Sequence, residues 1–290
     1  MRVILHSKSQ IVADIPDFIR EDKSYADADL SAEQGGRLCY LSWGRPNQKT
    51  ATNPKYLLNI ENERHYSVIG HGHASFYVDE ITRNCTHEMI RHKWFTYSEV
   101  SQRYVDAEKF WFASHPGVRA YVEGFGSDNV QDHMLGSLRL YHGIVEYLEQ
   151  TQGYSHKKAR QAARHVLPGG TETKILMSGN LRAWRDFLAQ RLTPHADDEI
   201  RAVALEIYKI VKQEFPGSFW DFDSRGMITI ERLVRRALDR RNTAMAFSDE
   251  SSLKIERAFS EEVRLILDKG LWVLDLDPWQ EDEIESGVTL

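Results

Sequence analysis

The amino-acid sequence predicts a mixed α/β (α+β) chain, on three observations. Residues 73–79 alternate, with Ala74, Phe76 and Val78 on one side, as a half-buried strand does. After Pro194, Ile200, Val203, Ala204, Ile207, Ile210 and Val211 recur at the helical period. No apolar run approaches the length of a membrane span, so both kinds of element must pack around a core in water. With 290 residues and 41% hydrophobic content, the chain can bury such a core as one large domain or two smaller ones.

In chain order, residues 2–5 read as a short strand, and residues 14–32, rich in Asp, Lys and Ser, as a loop or inserted segment. A helix over 32–41 leads through a polar connection containing Gly44, Pro46 and Asn53 to a short helix over 55–60. Beyond the strand at 73–79, Ile81, Cys85, Met89 and Ile90 recur at helical spacing, which puts Arg91 and His92 near a helix C-terminus and makes residues 95–104 a loop. Helices follow over 127–150 and 156–166, the second stopped by Pro168, and residues 171–178 form a strand. Asn180 is placed to N-cap a helix running to Leu192. Asp197, Asp198 and Glu199 favour the first turn of the next helix, which ends near Pro216. Past Asp223 come an arginine-rich helix, ERLVRRALDRR, a second amphipathic helix from about Ser252 and an acidic end. The division is therefore a main domain at 1–222 and a helical C-terminal extension at 223–290.

Charge and cysteine usage narrow the function. Lys plus Arg number 37 against 43 Asp plus Glu, and the net charge of −6 excludes a surface built as a whole for nucleic acid or anionic lipid. Anionic ligands must be met by local arginine clusters. Arg232, Arg235, Arg236, Arg240 and Arg241 of the extension read as a solvated helical face before they read as a nucleic-acid site. The two cysteines, Cys39 and Cys85, have no CxxC partner, so no zinc or disulfide framework is expected and a reducing compartment fits. The N-terminal apolar run, Val3 to Leu5, is too short for a signal peptide, which predicts a cytoplasmic protein.

The densest chemistry lies in Arg91-His92-Lys93-Trp94-Phe95-Thr96-Tyr97-Ser98-Glu99-Val100-Ser101-Gln102-Arg103-Tyr104. Arginines suit phosphate because their planar fork makes bidentate, charge-assisted bonds, while Glu99 and Ser101 can bond sugar or base edges. Two readings fit: a nucleotide pocket, or a salt-bridged loop in which Glu99 pairs with Arg91 or Arg103.

This segment resembles the hallmark of the flavin-dependent thymidylate synthase family, in which Arg-His-Arg is followed after seven residues by Ser and then by Arg-Tyr. Ser101 and Arg103-Tyr104 fall in register. Lys93 stands where the family has Arg, keeping the charge and losing the bidentate fork, and Thr96 and Ser98 replace other small polar residues. A second block, Ala159 to Pro168, Thr171-Glu172-Thr173, Asn180 to Trp184, and Arg191 with His195, is similar to the family's C-terminal half. A third, Arg64 to His71, holds a His-x-Ser element at His65 and Ser67, with Gly70 in place of Glu. The matches run from about Gly36 to Phe222.

The resemblance implies a central mixed or antiparallel sheet flanked by long helices, with FAD bound outside any Rossmann domain. It assigns Ser67, Arg91, His92, Lys93 and Glu99 to the flavin, together with Asn180, Leu181, Arg182 and Asp186. To dUMP it assigns Glu88, Met89, Ile90 and Arg91 on one side, Glu99, Val100, Ser101, Gln102 and Arg103 on another, and Arg164 and Arg191. Arg191 takes the catalytic part, activating the uracil ring. The implied reaction converts dUMP to dTMP with methylenetetrahydrofolate as carbon donor and NADPH as reductant, in a homotetramer whose active sites are shared. A flavin route also accounts for the lack of a nucleophilic thiol: Cys85 lies on the apolar side of its helix, and Cys39 has no histidine nearby. No metal, nucleic acid or membrane enters.

Overall fold

A computed structural model describes residues 1–12, 25–44, 47, 50–63, 65–107, 112, 113, 115–223, 226 and 227. Arg64 and the extension beyond residue 227, including the helices expected there, lie outside the described residues. In chain order the elements are β1 (Arg2–Lys8), α1 (Asp27–Tyr40), α2 (Asn53–Asn62), β2 (His73–Thr82), α3 (Arg83–Met89), β3 (Phe95–Glu99), α4 (Pro116–Phe125), α5 (Asp128–Gln150), α6 (His156–Ala163), β4 (Glu172–Asn180), α7 (Leu181–Arg191), α8 (Asp198–Glu214), β5 (Phe222–Asp223) and β6 (Gly226–Met227). The main sheet is antiparallel throughout, in the order β1-β2-β4-β3, and β5 and β6 form a separate hairpin. Mixed helix and antiparallel sheet is an α+β architecture, and the mixed-sheet option is set aside.

The sheet builds its core by alternation. Ala74, Phe76 and Val78 of β2 and Ile175 and Met177 of β4 are buried, in register, with Phe76 opposite Met177 and Val78 opposite Ile175. Helix α7 covers this face through Trp184, Phe187 and Leu188, all fully buried. Trp184 stands edge-on to Phe76 at 4.8 Å and to Phe95 at 4.6 Å, and its indole N–H donates to the Ala74 carbonyl at 3.0 Å. That bond satisfies the one polar group the ring carries into the core. A residue added to β2 between Val78 and Ile81 shifts the register, with Glu80 at φ 59°, and the strand then delivers Thr82 as N-cap of α3.

Helix α7 begins where the sequence places it, with the Asn180 side chain accepting from the Ala183 N–H at 2.8 Å. Asn180→Ala is expected to cost about 1 kcal/mol of stability, and Asn180→Ser to recover most of it, read by urea unfolding. Asp197 caps α8 in the same way, accepting from Glu199.

Two expectations are corrected. Helix α1 starts at Asp27, inside the stretch read as loop, because its charges are buried and partnered. Asp29 accepts from the Gly217 N–H and the Ser218 hydroxyl, and Glu33 accepts from Arg37 at 2.6 Å. The first half of residues 95–104 is strand β3, not loop. Phe95 and Tyr97 face the core and Thr96 and Ser98 face outward, and the hydroxyl-rich composition masks that alternation. Helix α4, with Pro116 in its first turn, is an element the sequence reading did not specify.

The long helix α5 meets the body through the buried Tyr141, beside Ala163 of α6. Elsewhere α4 and α5 expose Val118, Tyr121, Phe125, Leu135, Leu140 and Tyr147. No helix among the described residues is long and apolar enough to cross a membrane.

Candidate active site

Two helix C-termini converge on one cleft. Helix α3 ends at Met89, and the turn after it is held by the Tyr97 hydroxyl, which reaches the Met89 carbonyl at 2.8 Å and the His92 carbonyl at 2.6 Å. Burial pushes the Tyr97 phenol up to about 12, so it stays a hydrogen-bond donor at neutral pH. Helix α7 ends at Arg191. Arg91, His92, Lys93 and Trp94 from the first end, and Asp186, Gln190 and Arg191 from the second, line an open cleft of about 520 Å³. Cations suit both helix ends, whose unpaired carbonyls carry partial negative charge.

Arg191 is held at two points. Its Nε donates to His92 Nε2 at 2.9 Å, and its Nη1 donates to Glu88 Oε2 at 2.9 Å. An imidazole nitrogen that accepts carries no proton, so His92 is neutral with its proton on Nδ1. The ring is buried and packs edge-on against Phe187 at 4.9 Å. Burial first, and then the Arg191 charge, hold the His92 pKa below its ordinary value, against the opposing pull of Asp186.

The remaining candidates fall into two further groups. Ser67 is exposed on the turn that runs into Val68–His71, next to the start of α7: Leu181 N–H bonds the Gly72 carbonyl, and the Gly70 backbone approaches the Asn180 amide. Arg182 is exposed there, while Leu181 is fully buried. Helix α7 spans ten residue steps from Leu181 to Arg191, so this group lies about 15 Å from Arg191. It borders the other end of the cleft, where Arg182 stands one turn before Asp186, and where Phe95, next to Trp94, pairs with Gly179.

Glu99, at the end of β3, heads the second group. Its partner is Arg83 at 3.1 Å, with Thr86 and Thr173 hydroxyls donating to the same carboxylate oxygen, so pairing with Arg91 or Arg103 is corrected. Val100 continues the β4 pairing through Lys174, and Ser101 Oγ accepts from the Arg103 N–H. Gln102 and Arg103 are half-buried, and the Arg103 Nε is buried with no hydrogen-bond partner among the described residues. Arg160 of α6 donates to the Tyr104 carbonyl and to Asp106, tying this segment to α6, and Arg164 follows one turn later with no side-chain partner among the described residues. Met89 is buried and Ile90 exposed at the α3 end.

The structure thus brings Arg91, His92, Lys93, Asp186, Arg191 and, through Arg191, Glu88 to one place. Asn180 and Arg182 border the end of the cleft away from Arg191, and the Ser101–Arg103–Arg164 group lies elsewhere on the same chain. Trp94 and Gln190 line the cleft and were not singled out from sequence, although Gln190 stands four residues after Asp186 and bonds it at 2.9 Å. Of the two cysteines, Cys39 is exposed on α1 and outside the cleft lining, whereas Cys85 is 2% exposed, and burial together with the carboxylates of Glu199, Asp197 and Glu88 drives its pKa far up, away from a reactive thiolate.

Comparison with known proteins places this geometry. Residues 23–217 match the family model described as "Thymidylate synthase complementing protein". The chain is 42% identical over 206 residues to the flavin-dependent thymidylate synthase of Mycolicibacterium gilvum, covering 68% of this chain and 82% of that protein. It is 41% identical over 232 residues to that of Mycobacteroides abscessus and 39% identical over 234 residues to that of Mycobacterium tuberculosis, in each case covering 77% of this chain and 90% of the relative.

Proposed function

The chain belongs to the flavin-dependent thymidylate synthase family, and on that premise we propose that the cleft between α3 and α7 is where dUMP is turned over to dTMP. The observation that carries this reading is the meeting of Arg91, His92 and Lys93 with Arg191, two segments about a hundred residues apart that converge on one cationic cleft.

The residues fit a flavin dinucleotide. Arg91, Lys93 and Arg182 are exposed cations that can balance a pyrophosphate. Arg182, Asp186 and Gln190 recur every four residues on the exposed side of α7, a polar track about 12 Å long that suits an elongated ligand. Held there, FAD reduced by NADPH would supply the hydride that completes the methyl group, and methylenetetrahydrofolate would supply the carbon. The protein's share is electrostatic and positional. Arg191, aimed at the uracil N3 and carbonyl edge, stabilises negative charge there and makes C5 a better carbon nucleophile. Arg91, Arg103 and Arg164 anchor the nucleotide, and Glu99 and Ser101 bond its sugar or base.

The Arg103–Arg164 group is separate from the cleft within one chain, which supports a site completed by another copy. The exposed apolar residues of α4 and α5 supply a surface for such an assembly, and we take it to be a homotetramer. Purified protein is expected to show a flavin absorbance band and to form dTMP from dUMP, methylenetetrahydrofolate and NADPH. A colourless protein that cannot take up FAD defeats the reading.

A further inference from the structure

We propose that Glu88 and His92 are positioning residues that hold the Arg191 guanidinium in one plane, and that His92 does so only in its neutral form. The inference rests on the reading of Arg191 as the group that activates the uracil ring.

Two bonds to two different nitrogens, from residues on α3 and on the turn after it, set both the place and the rotation of a planar group. They leave Nη2 with no partner among the described residues, and so free to meet a ligand. Arg191 keeps about a fifth of its side-chain surface exposed, 19% against 34% for Glu88, and an ion pair so open to water contributes little stability of its own. Orientation accounts for the arrangement better than stability does.

His92 cannot turn away to serve another purpose. Its ring lies against Phe187 and its backbone carbonyl is held by Tyr97. Protonation would convert Nε2 from acceptor to donor and set a positive charge 2.9 Å from the Arg191 Nε, so the contact would break. The charged groups that face the ring are Arg191 and Asp186 from α7, with Glu88 of α3 on the far side of Arg191 and Arg91 and Lys93 on its own turn. Burial and Arg191 outweigh Asp186 and keep the ring neutral through the neutral range. Activity should therefore fall with decreasing pH as His92 gains its proton, on the acid side of about 6.5.

The test uses the flavin-loaded, full-length protein and measures kcat and KM for dUMP from pH 5 to 9. In His92→Gln the amide oxygen can reach the Nε2 position and does not titrate, so kcat at pH 8 should stay within about tenfold of wild type while the acid limb disappears. His92→Phe and Glu88→Leu, neither of which offers an acceptor to Arg191, should each lower kcat by more than about tenfold with flavin absorbance and melting temperature retained. An acid limb unchanged in His92→Gln overturns the inference, as does a kcat loss in Glu88→Leu matched by loss of flavin or a lower melting temperature. A flavin-loaded wild type that forms no dTMP at pH 8 overturns the reading of the whole site, whereas an active wild type with an unshifted His92→Gln profile overturns this inference alone.

Discussion

Arg191→Ala is expected to reduce dTMP formation by roughly a hundred- to a thousandfold, the loss that follows removal of one preorganised charge from a developing anion. The effect should fall on kcat more than on KM. On the proposed reading other arginines anchor the nucleotide, and the Arg191 contribution would be realised as negative charge builds on the uracil ring. Flavin absorbance should persist, since Arg191 sits at the far end of α7 from Asn180 and Arg182, and the exposed cations Arg91, Lys93 and Arg182 remain to meet the cofactor. Arg191→Lys tests the same point differently. A lysine keeps the charge but has one nitrogen where Arg191 uses two to meet His92 and Glu88, so it should recover little of the turnover. Turnover within twofold of wild type in the alanine variant would sink the assignment, and loss of flavin alongside turnover would move Arg191 to the cofactor.

What the sequence revealed divides along physical lines. Elements with a local signal were legible: Asn180 as a cap, the acidic first turn of α8 at Asp198 and Glu199, Pro216 as a stop, and the alternation of Ala74, Phe76 and Val78. Those features depend on neighbours within a turn or two. Strand β3 was hidden because it is an edge strand, pairing on one side only with β4, and its outward residues are the hydroxyls that also read as loop. Helix α1 was half hidden for the opposite reason, because Asp29 and Glu33 look solvated and are buried. Their partners, Ser218 and Gly217 for Asp29, lie nearly two hundred residues away, and no local pattern carries that information. The site divides in the same way. Its arginine-rich turn could be matched as a motif, but the bond between Arg191 and His92 spans 99 residues and only the fold shows it. The pairing of Glu99 with Arg83 was missed likewise, since Arg83 lies outside the motif that drew attention to Glu99.

The largest stability effect is expected at Arg185, a residue inside the matched block for which sequence suggested no task. Its two terminal nitrogens meet the two oxygens of Asp221 at 2.7 and 2.6 Å, Nη1 also meets the Ser218 carbonyl, and the guanidinium lies 5.0 Å from the Phe222 ring. The pair is buried, with Arg185 5% and Asp221 7% exposed. It fastens the segment that follows α8, with the buried Phe219 and Phe222, onto the middle of α7. Removing one partner strands the other's charge away from water, so Arg185→Ala should lower the unfolding free energy by about 3–5 kcal/mol. Arg185→Lys should recover little, because one ammonium cannot span both carboxylate oxygens and the Ser218 carbonyl. The double variant Arg185→Met with Asp221→Leu separates the two meanings of such a pair. A buried ion pair gives back in attraction only about what desolvation takes away, so replacing both partners with apolar side chains of similar bulk should return most of the stability lost by Arg185→Ala. Urea unfolding followed by tryptophan fluorescence reads all three, with Trp184 in the α7 core as a natural reporter. A double variant as unstable as the single one would mean that the fork itself, through its bond to Ser218 and its stacking on Phe222, holds the segment, and that the charge balance matters less than the geometry.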